Sequence, residues 1–310
     1  MTSDLTATLG PLKLKNPLIA ASGVFGYGLE LAAFCPPEKL GAVIVKGLSL
    51  KPWPGNPGPR GVAAAFGLVN AIGLENIGVK AFLKDALPPL KATGAVVGVN
   101  VVGEKEADYA EMAAILAHED VDFLELNVSC PNVESGGLAF GSDPKIARRL
   151  TQAVVQKAGN KPVLVKLPPL VTDIGLVAKE VAQAGATAIS LINSVPALVV
   201  NAQTRKAALG RVTGGLSGPP IKPLALRQVW QAFKALPEPK IPVVGGGGIF
   251  TGLDAAEFIV VGATAVQIGS AILVDPSSPL RILDELKSFF LKENVPNVAS
   301  LRGTLESPVP

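Results

Sequence analysis

The residues best suited to chemistry form one short motif, Asn127-Val-Ser-Cys-Pro-Asn-Val133. The motif directly follows an apolar run at residues 121–126, so Cys130 and the carboxamides of Asn127 and Asn132 are expected where a strand ends and side chains can face a ligand. A thiol beside two neutral hydrogen-bonding groups can act as an acid or base on a small polar substrate. A buried structural cysteine is the alternative. The two asparagines favour the catalytic interpretation.

Two lysines end apolar runs, which places each ammonium group at the edge of a core instead of in solvent. Lys46 follows the run at residues 43–45, and Lys166 follows the run at residues 163–165. Burying an ammonium group is costly unless an anion or an electron-rich ring pairs with it. We therefore expect a ligand that carries such groups to contact both lysines.

Glycine clusters follow the last two apolar runs. Residues 245–248 are four consecutive glycines, and Gly269-Ser270 closes the run that begins at residue 263. After the last strands of a barrel, glycine turns let backbone N–H groups approach a phosphate, and the N-terminus of a short helix adds a favourable dipole. Residues 214–223 supply another flexible turn, through which Gly218 could face the same phosphate. A phosphate-bearing cofactor is expected, although glycine also serves ordinary sharp turns.

Short β-rich apolar runs alternate with segments of helical periodicity along the whole chain. The runs cover residues 17–21, 42–46, 95–101, 121–126, 162–167, 186–192, 241–245 and 263–269. The helical segments include residues 107–118, 145–157, 174–184, 223–235 and 253–260. Repeated strand–helix units with apolar strands indicate parallel pairing, and eight such units can close into a (β/α)8 TIM barrel. We predict one α/β barrel domain over residues 1–310, with a doubly wound open sheet as the alternative.

In a barrel, the polar residues that end these runs would meet at the rim that carries active sites. The residues in these positions are Ser22, Lys46, Asn100, Asn127, Lys166, Asn193, Ser194, the glycines at 245–248, Gly269 and Ser270.

Composition and charge exclude several classes of partner. The net charge is +3 without a long basic run, so neither nucleic acid nor a membrane surface is expected. Cys35 and Cys130 are the only cysteines and His118 is the only histidine, which predicts no metal site. The start Met-Thr-Ser-Asp-Leu lacks a basic apolar signal segment, so we expect a cytoplasmic protein.

Five motifs in order resemble the dihydroorotate dehydrogenase family, specifically the catalytic subunit of its class 1, NAD-linked (B-type), two-subunit subclass. The resemblance runs from about residue 5 to residue 290. It implies an FMN-containing barrel that oxidises (S)-dihydroorotate to orotate in pyrimidine biosynthesis. The motifs are Asn70-Ala-Ile-Gly-Leu-Glu-Asn76, Asn127-Val-Ser-Cys-Pro-Asn-Val133, Gly136-Gly-Leu-Ala-Phe-Gly-Ser-Asp-Pro144, Lys166-Leu-Pro-Pro-Leu-Val-Thr-Asp173 and Gly214-Gly-Leu-Ser-Gly-Pro-Pro-Ile-Lys-Pro223.

The resemblance also implies roles for individual residues. Cys130 would remove the C5 proton of dihydroorotate while C6 gives a hydride to the flavin. The substrate would be held by Lys46, Asn70, Ala71, Ile72, Gly73, Leu74, Asn127, Asn132, Asn193 and Ser194. The flavin would lie against Ser22, Lys46, Gly47, Asn100, Asn127, Lys166 and Ile192, and its phosphate against Gly218, Gly247, Gly248, Gly269 and Ser270.

A partner subunit that carries FAD and a 2Fe-2S cluster is a further implication of the resemblance. Two cysteines are too few for a cluster held by four thiolates. No Gly-x-Gly-x-x-Gly fingerprint follows a predicted strand, so the chain shows no dinucleotide site for NAD. The resemblance implies a homodimer of this chain within a heterotetramer.

Two related activities stay open as alternatives. Residues 195–201 read Val-Pro-Ala-Leu-Val-Val-Asn where NAD-linked relatives usually carry Thr-Leu and then Gly-Met-Ala-Ile-Asp, and the pair Asn193-Ser194 is closer to fumarate-linked class 1 enzymes. Residues 134–141 favour the NAD-linked subclass. A dihydropyrimidine dehydrogenase domain would act on uracil or thymine with the same barrel and cysteine, but the position of Asn132 tends to be His there.

Overall fold

The computed structural model of the chain describes residues 3–129 and 140–306. Its strands are β1 (Ala7–Leu9), β2 (Leu12–Leu14), β3 (Leu18–Ala20), β4 (Ala42–Leu48), β5 (Gly61–Ala64), β6 (Gly67–Asn70), β7 (Val97–Val101), β8 (Phe123–Asn127), β9 (Val163–Lys166), β10 (Ala188–Leu191), β11 (Val195–Ala197), β12 (Val200–Asn201), β13 (Lys206–Ala207), β14 (Gly214–Ser217), β15 (Val243–Gly246) and β16 (Ala265–Ile268). Its helices are α1 (Val79–Ala81), α2 (Leu87–Lys91), α3 (Glu106–Leu116), α4 (Pro144–Lys157), α5 (Ile174–Gln183), α6 (Lys222–Ala235), α7 (Gly252–Val260), α8 (Ser270–Val274), α9 (Ser278–Lys292) and α10 (Val298–Leu301).

Eight parallel strands close into a barrel in the order β3-β4-β7-β8-β9-β10-β15-β16, and β16 pairs with β3 to complete the ring. They are the eight apolar runs of the sequence, so the predicted (β/α)8 barrel is confirmed and the open doubly wound sheet is wrong. The five predicted helical segments correspond to α3–α7, with ends within two residues of those predicted.

Side-chain caps encoded in the sequence set where the outer helices begin. The Asp143 carboxylate accepts hydrogen bonds from the N–H groups of Lys145 at 2.7 Å and Ile146 at 3.2 Å, which starts α4. At α7, the Thr251 hydroxyl accepts from the Asp254 N–H at 3.1 Å, and the Asp254 carboxylate accepts from the Thr251 N–H at 2.8 Å. Each cap satisfies N–H groups that have no partner within the helix.

The β1–β2 hairpin closes the end of the barrel at which the strands begin. Leu9 and Leu14 of the hairpin are buried against inward-facing residues of the barrel strands, including Ile44 and Phe123. Gly98 on the neighbouring strand leaves room for the Phe123 ring, because a Cβ at residue 98 would overlap that ring. Apolar side chains therefore fill the barrel at the end where the strands begin. Space for a polar ligand lies at the opposite end, where the strands finish.

A four-stranded antiparallel sheet in the order β11-β14-β6-β5 lies over that opposite end. The prediction of a flexible turn at residues 214–223 is wrong for its first four residues, which form β14. Leu216 pairs with Val69 of β6 on one side and with Val195 of β11 on the other. Glycine-rich sequence indicates a turn locally, whereas this strand forms because two distant segments pair with it.

Within residues 3–129 and 140–306, none of the helices combines the length and apolar character that crossing a bilayer requires.

Candidate active site

A cavity of about 370 Å³ lies at the carboxyl ends of the barrel strands. This volume is in the range of small-molecule and cofactor sites. The predicted site residues that line the cavity are Ser22, Lys46, Gly47, Asn70, Ile72, Leu74, Asn100, Asn127, Lys166, Ile192, Asn193, Ser194, Gly218, Gly247, Gly248, Gly269 and Ser270.

Four predicted residues stand apart from this group. Ala71 and Gly73 do not line the cavity, whereas Asn70, Ile72 and Leu74 of the same segment do, and the backbone is left-handed at Gly73 (φ +75°) and Leu74 (φ +57°). The Ala71 N–H instead donates to the Arg60 carbonyl at 2.8 Å. Cys130 and Asn132 lie outside the described residues. The roles assigned to all four stay predictions.

Lys46 brings a positive charge to the mouth of the cavity. It lies in β4, and its Nζ is 3.9 Å from the carboxylate of Glu75, which also lines the cavity. Glu75 in turn pairs with Arg60 at 2.8 Å. Because the lysine side chain is 27% exposed and its carboxylate partner is distant and shared, the ammonium group can take an anionic ligand.

Lys166 is the buried cation of the site, with 7% of the residue exposed. Its Nζ donates to the Gln267 carboxamide oxygen at 3.2 Å and lies 3.8 Å from the carboxylate of Glu125. Glu125 is fully buried in β8. Neither Glu125 nor Gln267 was assigned to the site from sequence. The sequence feature that could have identified Glu125 is its charge inside an apolar run, because a buried charge needs polar partners.

A chain of carboxamides and a hydroxyl connects Glu125 to the far side of the cavity. Nδ2 of Asn100 donates to Glu125 at 2.7 Å, and Nδ2 of Asn127 donates to Oδ1 of Asn100 at 3.3 Å. The Ser129 hydroxyl donates to Oδ1 of Asn127 at 2.7 Å and accepts from Nδ2 of Asn193 at 2.7 Å. The donors and acceptors of the site are therefore held in one ordered series.

Three glycines with left-handed backbone line the other part of the cavity. Their φ angles are +105° at Gly218, +130° at Gly247 and +77° at Gly248. A Cβ at Gly248 would lie 2.9 Å from both the Gly218 carbonyl oxygen and the Lys222 Cβ. A Cβ at Gly269 would meet no protein atom within 4 Å, so that position opens onto free space. These features fit a ligand group that approaches the backbone closely, as a phosphate does.

A parallel eight-stranded barrel whose strand ends carry ammonium groups, carboxamides and glycine turns around one cavity is the architecture of a (β/α)8-barrel enzyme. The family model described as dihydroorotate dehydrogenase matches residues 4–290. The chain therefore belongs to the dihydroorotate dehydrogenase family, whose members are flavin-dependent oxidoreductases, and the resemblance predicted from the motifs is confirmed.

Similar proteins cover nearly the whole chain. The chain is 47% identical over 304 residues to the dihydroorotate dehydrogenase B (NAD(+)), catalytic subunit, of Geobacter sp. (strain M21), with 98% of each chain covered. A protein of the same name from Pelobacter propionicus is 45% identical over 307 residues, covering 99% of this chain and all of the relative. A third, from Maridesulfovibrio salexigens, is 45% identical over 306 residues, covering 98% and 99%.

Proposed function

We propose that the chain is the catalytic subunit of a two-subunit, NAD-linked dihydroorotate dehydrogenase that oxidises (S)-dihydroorotate to orotate in pyrimidine biosynthesis. The carrying observation is the convergence of carboxamides and two lysines on one cavity. Dihydroorotate combines a cyclic imide with a carboxylate, and carboxamides and an ammonium group complement these functions. The names of the similar proteins support the same activity.

We propose FMN as the flavin of this cavity, because left-handed glycines line it and admit a close phosphate contact. Its phosphate would lie against the backbone at Gly218, Gly247 and Gly248, where left-handed glycines admit a close approach. Its ring would lie near Lys166, whose ammonium group would offset negative charge that collects on a reduced flavin. When bound, FMN supplies the hydride acceptor.

The residues of the chain would hold the substrate and accept its proton. Asn70, Asn127 and Asn193 present carboxamides to the ring amides of dihydroorotate, and Lys46 presents an ammonium group to its carboxylate. Cys130 would accept the C5 proton as a thiolate, the reactive form of cysteine. This assignment of the base comes from the motif, since Cys130 lies outside the described residues.

Colour and substrate preference test the proposal. The purified protein is expected to be yellow, to release FMN on denaturation, and to reduce an artificial dye with dihydroorotate in preference to dihydrouracil. A colourless protein, or one that prefers dihydrouracil, would contradict the proposal, and the second result would favour the dihydropyrimidine dehydrogenase alternative.

Gly248→Ala is expected to weaken FMN binding by about tenfold, the factor that corresponds to a loss of about 1.4 kcal/mol in binding free energy. The added methyl would enter a left-handed position and crowd the Gly218 carbonyl and Lys222 in the turn assigned to the phosphate. Flavin fluorescence titration of the apoprotein measures the affinity. Gly94→Ala is the matched control, because Gly94 has φ +79° and no protein atom within 4 Å of an added Cβ. Equal FMN affinities of Gly248→Ala and Gly94→Ala would refute the assignment of the phosphate site to this turn.

The two lysines are expected to affect different measurements. Lys46→Ala should raise the KM for dihydroorotate about 10–100-fold, because a hydrogen bond between charged groups contributes about 1.5–3 kcal/mol. Lys166→Ala should weaken FMN retention or lower the flavin midpoint potential. Lys91→Ala is a suitable control, since Lys91 is paired with Asp122 at 2.7 Å and does not line the cavity. If Lys46→Ala and Lys166→Ala have equally small effects, neither lysine contacts the substrate or the flavin, and both have structural roles.

A further inference from the structure

Glu125 is a fully buried carboxylate beneath the cavity that the proposed chemistry does not use. It accepts hydrogen bonds from Asn100 at 2.7 Å, from the Ser190 hydroxyl at 2.9 Å and from the Gln267 carboxamide, and it lies 3.8 Å from the Lys166 ammonium. It does not itself line the cavity, whereas Asn100, Lys166 and Gln267 do. Burying a carboxylate costs free energy that its partners must offset, and three of the partners that do so here also line the cavity.

A carboxylate only accepts hydrogen bonds, and this property fixes the orientation of every carboxamide connected to it. Asn100 must turn its NH2 group toward Glu125, which leaves its oxygen to accept from Asn127. Asn127 then has its oxygen free to accept from the Ser129 hydroxyl, which in turn accepts from Asn193. The arrangement of donors and acceptors offered to the substrate therefore begins at Glu125.

The same carboxylate compensates the charge of Lys166. Gln267 bridges the pair, because its NH2 group donates to Glu125 while its oxygen accepts from the Lys166 Nζ. The ammonium group is thereby held at the floor of the cavity with a negative charge behind it. Electrostatic effects are strong in such a buried setting, so Glu125 lowers the positive potential that Lys166 would otherwise impose on a bound ring.

We propose that Glu125 is a positioning residue that orders the carboxamides of the site and sets the redox potential of its flavin through Lys166. The proposal rests on the proposed function, since it presumes FMN in the cavity. Reduction adds negative charge to a flavin, so removing the Glu125 charge favours the reduced form. Glu125→Gln is expected to shift the flavin midpoint potential to more positive values and to raise the KM for dihydroorotate, because an amide adds a donor to the series.

The experiment measures the midpoint potential of bound FMN by spectroscopic redox titration in the wild type, Glu125→Gln and Ser190→Ala. Ser190 donates to Glu125 but does not line the cavity, so Ser190→Ala removes a hydrogen bond and keeps the charge. We expect a clear positive shift in Glu125→Gln and a much smaller change in Ser190→Ala. The proposal would be overturned if the midpoint potential of Glu125→Gln equals that of the wild type or is more negative, or if both variants shift it equally.

Outcomes in which Glu125→Gln loses fold or flavin are also decisive. If the single variant Glu125→Gln fails to fold while the double variant Glu125→Gln/Lys166→Met folds, the carboxylate balances the charge of Lys166 as proposed. If both variants fail to fold, Glu125 is a packing residue and the proposal is wrong. If Glu125→Gln folds with an unchanged Tm but loses FMN, retention of FMN by Ser190→Ala supports the proposal and equal loss refutes it. A wild type without flavin or dihydroorotate oxidation would instead refute the proposed function.

Discussion

Cys130→Ser is expected to keep its FMN and to lose dihydroorotate oxidation by a factor of about 10²–10⁴ near neutral pH, the usual cost of removing a general base. A serine hydroxyl is far harder to deprotonate than a thiol, so the substituted residue cannot accept the C5 proton at that pH. Steady-state oxidation of dihydroorotate with an artificial dye measures the loss, and the visible spectrum of the protein shows whether the flavin is retained.

The second cysteine of the chain provides the control for this experiment. Cys35 is buried in the apolar core between strands and helices, and burial, with a smaller contribution from Glu38, raises the pKa of its thiol to about 11. It is therefore a poor thiolate at pH 7, and Cys35→Ser is expected to lower the melting temperature without a comparable loss of rate. Activity of Cys130→Ser within a few-fold of the wild type at pH 7 would refute the assignment of the base.

The barrel could be predicted because each of its parallel strands is buried on both faces. Such strands are continuous apolar runs, and these stand out from amphipathic helices in the sequence. Once the barrel is known, the end of each run indicates the rim, which is why Lys46, Asn100, Asn127 and Lys166 could be placed around one cavity. The arrangement of these four residues around one cavity follows from the barrel topology, which no single motif specifies.

What the sequence did not predict depends on contacts between distant segments. Strand β14 forms only because β6 and β11 flank it, and nothing within Gly-Gly-Leu-Ser specifies that pairing. Glu125 was included in an apolar run because its neighbours are apolar, while its partners lie on strands β7, β10 and β16. Ala71 and Gly73 were included with a motif, but the cavity is lined by Asn70, Ile72 and Leu74 of that segment, whose backbone turns left-handed at Gly73 and Leu74.

Two redox groups that NAD reduction is expected to need are not evident in the sequence of this chain. Two cysteines cannot supply four thiolates for an iron–sulfur cluster, and no dinucleotide fingerprint follows a strand of the sequence. The similar proteins are named as catalytic subunits, which implies that another subunit completes them. For this chain we propose a partner that carries FAD and a 2Fe-2S cluster and receives electrons from the FMN of the barrel.

The purified chain alone is therefore expected to reduce an artificial dye with dihydroorotate but to give no measurable NADH from NAD. Addition of the partner subunit should restore NADH formation, followed by its absorbance, because the missing redox groups then connect the two sites. Dye reduction in the same preparation is the control that the barrel is active. Robust NAD reduction by the chain alone would refute the need for a partner. Fast turnover with fumarate alone would assign the protein to the fumarate-linked subclass, which the pair Asn193-Ser194 resembles.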